Sequence, residues 1–191
     1  MSKKRRNILL AFIIPALLFY VVFWISPVLM SFYYGLTNWR GMGDFDIVGM
    51  KNYANLIKQG TLFNSMGNTI KYTLFVVIWG NIQALALAMI LNMKLKARGV
   101  FRTIFYIPAL FSTIVVAFLW SYVYAPHYGM ISEIFNLFGS SNAPNLLGSK
   151  ATSLFAAAFV ETWKTSGTMT IIYLAGLQNI SEEVIESAKI D

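Results

Sequence analysis

The chain has 191 residues, of which 57% are hydrophobic and only 12% charged, against about 25% charge in soluble domains. Its net charge of +7 sits largely at the flanks of long apolar runs, which points to membrane topology rather than to nucleic acid. With no cysteine and a single histidine, His127, the chain excludes disulfides, thiolate metal sites and multi-histidine metal centres, and leaves little for a Ser-His-Asp site.

Lys3-Lys4-Arg5-Arg6 opens the chain and is followed by an apolar run over residues 8–32. A signal peptide has the same charged start, but its apolar core is only about 7–15 residues and ends at a small-residue cleavage site. The longer run here predicts an uncleaved first membrane span, with kinks tolerable at Pro15 and Pro27 where neighbouring helices satisfy the freed carbonyls. Residues 33–71 then turn polar, broken by Gly35, Gly41, Gly43, Gly49 and Gly60, and are expected to form an external loop.

A second span is predicted over residues 72–93. Gly80, Ala84 and Ala88 recur every four residues there, a stripe suited to close helix contact in lipid. Asn81 and Gln83 are its polar members, suited to an interhelical hydrogen bond or, alternatively, to solute contact. Lys94, Lys96, Arg98 and Arg102 crowd the next turn, which should face the cytoplasm. The third span, residues 104–124, contains Pro108 and ends in an aromatic belt of Trp120, Tyr122 and Tyr124. Residues 125–152 read as a second external loop, with His127 a loop residue beside Pro126 and a short surface helix over 131–138.

The fourth span, residues 153–177, is the least purely apolar. Glu161 and Lys164 are three apart and could pair on one helix face. A charge at the bilayer centre costs roughly 2.5–3.5 kcal/mol, so Glu161, Trp163 and Lys164 are candidate pathway residues, with outward snorkelling of Lys164 the alternative. Thr162, Thr165, Ser166, Gly167, Thr168 and Thr170 are expected to form a hydrophilic, flexible patch.

The chain ends on a predicted amphipathic helix. Ser181 is a suitable N-cap, Glu182 and Glu183 place negative charge at the helix start, and Ile180 and Ile185 have the spacing of a hydrophobic staple. Val184, Ile185 and Ala188 share an apolar face, while Glu182, Glu183, Glu186 and Lys189 lie around the other. Beside Ala188, the small Ser187 lets another surface approach closely, so the helix reads as a docking element at a membrane edge. Both ends of the chain are then cytoplasmic, since an even number of spans separates them.

Leu177-Gln178-x-Ile180, Glu182-Glu183 and Glu186-Ser187-Ala188-Lys189-Ile190-Asp191 resemble the first half of the "EAA" cytoplasmic loop. That loop marks the permease subunits of binding-protein-dependent ABC importers, in the branch that carries sugars. Ser187 replaces the loop's first alanine, and the sequence reaches Asp191 before the family's glycine and later Leu-Pro. Further likenesses follow the family order: Pro27-x-x-x-Ser31-Phe32, Val48-Gly49-Met50-Lys51-Asn52-Tyr53, Phe63-x-x-x-x-Asn68-Thr69, Phe101-Arg102-x-x-Phe105-x-x-Pro108, and Trp163-Lys164. Trp120 and Gly129 match as well, whereas Ser132 stands where an asparagine is usual.

The resemblance implies one all-α permease domain over residues 1–191, a polytopic transmembrane helix bundle with about four spans of a probable six. It implies a multi-pass protein of the cell membrane and three kinds of partner. These are ABC ATPase subunits, a second permease subunit and an extracytoplasmic solute-binding protein. Glu182, Glu183, Val184, Ile185, Glu186, Ser187, Ala188 and Asp191 would form the ATPase-coupling helix. No cofactor, metal site or catalytic residue is expected in this chain; ATP would be used on the partner subunit, since no Gly-x-x-x-x-Gly-Lys-Ser/Thr loop is present. Two other classes remain. An ion-coupled secondary transporter could use Glu161 and Lys164 but needs no docking helix; a membrane-embedded enzyme would have scant catalytic machinery.

Overall fold

The structure, a computed structural model, describes residues 3–93, 96–140, 143–181, 183, 184 and 187, with side chains from residue 11 onward. Among these, the regular elements are helical: α1 (Lys3–Tyr20), a π turn (Val21–Ile25), α2 (Ser26–Gly35), α3 (Lys51–Lys58), α4 (Thr61–Asn92), α5 (Arg98–Leu110), α6 (Thr113–Val123), α7 (Met130–Leu137) and α8 (Ser153–Gln178). The all-α expectation holds. Contacts divide the chain into two units, Met1–Met66 and Gly67–Asp191.

In the first unit the helix runs unbroken past Pro15 and Pro27. Pro27 has no N–H, and its ring would press on the carbonyl one α-turn back, at Phe23. The π turn relieves this by adding a residue to the ladder, so that the Ser26 N–H donates to Val21 O. Ala11–Gly35 is long and apolar enough to cross a membrane, and this chain buries none of its most apolar window. Such a surface has to be covered by lipid or by another helix.

The loop after α2 is closed by a single antiparallel bridge between Thr37 and Ile47 and by side chains. Asn52 Nδ2 donates to Gly35 O at 2.9 Å and to Thr37 O at 2.7 Å. Tyr34 stacks on Trp39 at 4.3 Å, with Phe45 edge-on to both. A Cβ on Gly35 would lie 2.6 Å from the Tyr53 hydroxyl, so a larger residue there would have to displace the end of that ring.

Residues 33–71 are more ordered than a loop: α2 continues into them, α3 lies within them, and α4 begins at Thr61 rather than at Tyr72. Apolar content locates the bilayer core, not the helix end. At 1.5 Å per residue, the 32 residues of α4 reach roughly 48 Å, well past a ~30 Å hydrocarbon core.

The third expected span is not one straight helix. α5 and α6 form a broken pair bent by 99°. Phe111 and Ser112 are both extended at the break, and Ser112 Oγ caps α6 by accepting from the Val115 N–H at 3.3 Å. Ala11–Gly35 and α4 qualify as spans by length and apolarity, and the bent pair makes a third if counted as one. α8 has the length, at 26 residues, but its polar middle keeps it outside that set.

The second unit packs α4, α5 and α8 against one another. Ala88, Leu91 and Leu174 form a buried cluster with Phe105, Tyr173 and Leu177 against it. The stripe expected on α4 is buried at Gly80, Ala84 and Ala88, continuing to Leu91. Gly80 faces α8, where an added Cβ would meet Thr162 Cγ2 at 3.6 Å. At the α5–α8 crossing, a Cβ on Gly167 would strike the Phe105 carbonyl and lie 2.7 Å from Tyr106 Cα. Two helix backbones therefore touch at Gly167, the close approach that small residues permit in lipid.

The patch expected to be flexible is a continuous part of α8. Thr162, Ser166, Gly167 and Thr170 are all among its buried residues. Thr162 Oγ1 returns a hydrogen bond to Phe159 O and Ser166 Oγ to Trp163 O, each at 2.8 Å. A hydroxyl satisfied by its own backbone packs like a small apolar group, so Thr162 and Ser166 can be buried at the helix contact, whereas Thr170 Oγ1 is buried without a partner.

Candidate functional site

A cavity of about 510 Å³ lies in the second unit where the α5–α6 break leaves space beside α4 and α8. Gln83 and Leu87 line it from α4, Ile104, Phe105, Ile107 and Pro108 from α5, Phe111 from the break, and Trp163 and Ser166 from α8. The cause is local and sequential. Pro108 sits in the last turn of α5, the chain becomes extended at Phe111 and Ser112, and α6 departs at a steep angle.

The walls are apolar except at Gln83 and Ser166. Ser166 is already bonded to Trp163 O. Gln83 Oε1, by contrast, is buried without a hydrogen-bond partner. A buried amide oxygen left unbonded costs about 1–3 kcal/mol, and this one would meet a donor in the cleft only by turning toward it. A mostly apolar cleft with one or two fixed polar groups has the make-up of a small-molecule site.

The three candidate pathway residues separate. Trp163 lines the cavity and is held edge-on by Trp120 at 5.4 Å. Lys164 Nζ instead donates to Thr113 Oγ1 at 2.8 Å, which ties α8 to the first residue of α6 beyond the break. Glu161 is half-buried, and its electrostatic neighbour is the Tyr72 hydroxyl on α4. No ion pair joins Glu161 to Lys164 among the described residues. Spacing of three permits a pair but does not compel one, and the Thr113 hydroxyl offers the amine a partner on another helix.

Asn81 and Gln83 diverge in the same way. Tyr173 OH donates to Asn81 Oδ1, an interhelical bond between α8 and α4, and Asn81 Nδ2 donates to Val77 O at 2.6 Å. Only Gln83 reaches the cavity. Sequence reasoning overlooked the break itself, although Ser112, four residues after Pro108 and just before Thr113-Ile-Val-Val, carries an N-cap signal.

At the C-terminal helix, Glu183, Val184 and Ser187 are helical and exposed, and the Val184 N–H donates to Ser181 O at 3.2 Å. Glu182, Ile185, Glu186, Ala188 and Asp191 lie outside the described residues. In the second loop, Ser132 is buried and its Oγ donates to Ala125 O at 2.9 Å, so serine closes this turn where the resembled family usually has asparagine. His127 is exposed in a turn.

No protein-family model matches the chain. It is 34% identical over 180 residues to the trehalose/maltose transport system permease protein MalF of Thermococcus litoralis, covering 94% of this chain and 61% of that protein. It is 32% identical over 181 residues to the multiple sugar-binding transport system permease protein MsmF of Streptococcus mutans, covering 94% and 62%. The probable starch degradation products transport system permease protein AmyD of Thermoanaerobacterium thermosulfurigenes is 28% identical, with 94% and 61% covered. In fold, the chain superposes with a TM-score of 0.78 on the crystal structure of a bacterial ABC transporter involved in the import of alginate. Identity there is 21%, and the match covers 98% of this chain and 63% of that one. The chain thus spans about three fifths of the length of the curated relatives it matches. Along nearly all of its own length, it is similar to permease proteins of sugar ABC transport systems, the family its motifs resemble.

Proposed function

We propose that this chain is the membrane-spanning permease part of an ATP-driven ABC importer that carries a sugar or oligosaccharide. The observation that carries this reading is the likeness of 94% of the chain to two sugar-system permeases at 32% and 34% identity. The cavity at the α5–α6 break supports it, since an aromatic ring, Trp163, and an amide, Gln83, both line it, and hydroxylated solutes engage groups of these kinds. The second alginate transporter structure holds a pentasaccharide-bound periplasmic protein, which is consistent with delivery by a binding protein.

In this reading ATP is hydrolysed on partner ATPase subunits, and the helix at Glu183, Val184 and Ser187, extended by sequence through Ala188, transmits the motion. A second permease subunit completes the pathway. The chain ends and the basic turn at 94–102 face the cytoplasm. The secondary-transporter alternative, built on a Glu161–Lys164 relay, is not favoured, because the Lys164 amine is bonded to Thr113 instead.

The test is Ala188→Arg in the assembled transporter, with uptake, ATP hydrolysis and subunit co-purification measured at matched expression. A bulky cation on the apolar docking face should weaken ATPase association or separate hydrolysis from uptake. Normal assembly and coupling in that variant would sink the coupling role. The sugar assignment is tested separately, by thermal-shift screening of the cognate binding protein against sugars and oligosaccharides.

A further inference from the structure

We infer that the α5–α6 break is a hinge, with α6 as its moving arm and the Lys164–Thr113 bond as the latch that holds the arm against α8. The inference rests on the fold of the second unit and not on what the chain carries. At the break no helical hydrogen bond resists rotation. The Phe111 N–H donates to Pro108 O and ends α5, while the Val116 N–H donates to Ser112 O and opens α6. Phe111 and Ser112 are both extended. Rotation about ψ of Phe111 and φ of Ser112 re-aims α6 and leaves both ladders whole, as residues at element ends do in hinges.

The two arms are held to α8 differently. α5 crosses it backbone on backbone at Gly167, within a broad contact. α6 meets α8 more narrowly, through side chains along one stripe. Thr113, Val116, Trp120 and Val123 make that stripe, spaced three and four apart. As the stripe rises, its partners on α8 descend. Thr113 Oγ1 accepts from Lys164 Nζ at 2.8 Å, Trp120 packs edge-on to Trp163 at 5.4 Å and to Phe159 at 5.7 Å, and Val123 clusters with Ala156. Val116 lies between Thr113 and Trp120 on the same stripe and is only 3% exposed.

Lys164 is the contact nearest the hinge. Its amine is bonded to a hydroxyl and not to a carboxylate, so one hydrogen bond closes the arm at this point. The latch also adjoins the cavity. Trp163, next to Lys164, and Phe111, two residues before Thr113, both line it. Release of α6 therefore alters the cavity wall.

The chain has no cysteine of its own, so Val116→Cys in the detergent-purified full chain places a single thiol under the arm. With α6 latched that thiol is shielded, and its rate of modification by N-ethylmaleimide follows the fraction of molecules with the arm lifted. Thr113→Val and Lys164→Gln should each raise this rate by about fivefold, the usual net worth of one hydrogen bond. Thr113→Val leaves every charge in place, so its result is free of any change in thiol reactivity. Val123→Cys, further along the stripe, repeats the measurement in a second background. Ala88→Cys, buried where α4 meets α8, reports general loosening and should react at one rate with or without the latch. Unchanged modification at positions 116 and 123 in Thr113→Val would overturn the latch. An equal rise at position 88 would overturn the hinge, because the whole bundle and not α6 alone would then have loosened.

Discussion

Helices α4 and α8 carry the same device and differ in what surrounds it. Each buries a stripe of small residues at a spacing of about four: Gly80, Ala84 and Ala88 on α4, and Ala158, Thr162, Ser166 and Thr170 on α8. On α4 the neighbours are almost wholly apolar, and the helix qualifies as a membrane span by composition alone. On α8 the stripe is mostly hydroxyls and its flanks include Glu161, Lys164 and Thr165. Even so, Thr162, Thr165 and Ser166 spend their hydrogen bonds on their own helix. Polarity along a membrane helix therefore does not by itself mark a pathway. Unsatisfied oxygens occur on both helices, Gln83 Oε1 on α4 and Thr170 Oγ1 on α8, and of these two residues only Gln83 lines the cavity.

The sharpest way to break this comparison is at Gly167. If α8 is a packing helix, Gly167→Leu must force apart the α5 and α8 backbones and should cost about 3 kcal/mol or abolish folding. Gly176→Leu on the same helix is its control. An added Cβ there meets nothing within 4 Å, so stability should change by no more than about 1 kcal/mol, with the Gly-to-Leu helix preference acting in the stabilising direction. Denaturation of both variants in detergent decides the matter. Equal stability would mean that α8 moves freely against α5.

The sequence made the scaffold legible and the site only in part, for a physical reason. Apolar runs and the four-residue spacing of Gly80, Ala84 and Ala88 report burial of small groups, which is a one-helix property. The cavity arises from a relation among three helices. It needs the α5–α6 break at Phe111–Ser112, the crossing at Gly167 and the direction of Gln83, and none of these is visible in local periodicity. Glu161 and Lys164 show the same limit. Their spacing permitted a pair, while the actual partner of Lys164 lies 51 residues away in sequence.

That long-range bond gives the second prediction. Lys164 and Thr113 should couple in a double-mutant cycle of Lys164→Gln and Thr113→Val by about 1 kcal/mol of stability. The corresponding cycle of Glu161→Gln with Lys164→Gln should be additive within about 0.5 kcal/mol. The reverse pattern would restore the intrahelical ion pair and remove the tie between α8 and the start of α6.

The smallest effect probes the contact that joins the two helices directly. Tyr173 OH donates to Asn81 Oδ1 across α8 and α4, while Asn81 Nδ2 is occupied by Val77 O. Tyr173→Phe removes only the hydroxyl and leaves the ring in place against the cluster of Ala88, Leu91 and Leu174. Asn81→Leu removes the acceptor with little change in volume. Interhelical hydrogen bonds in membrane proteins average about 0.6 kcal/mol, because the partners find other bonds when the helices part. Each single change should therefore cost little, and the pair should couple by about that amount in reversible unfolding. A coupling near zero would mean that the small-residue stripe alone holds α4 to α8. A coupling of about 2 kcal/mol would mean that the hydroxyl is shielded from every alternative donor and acceptor.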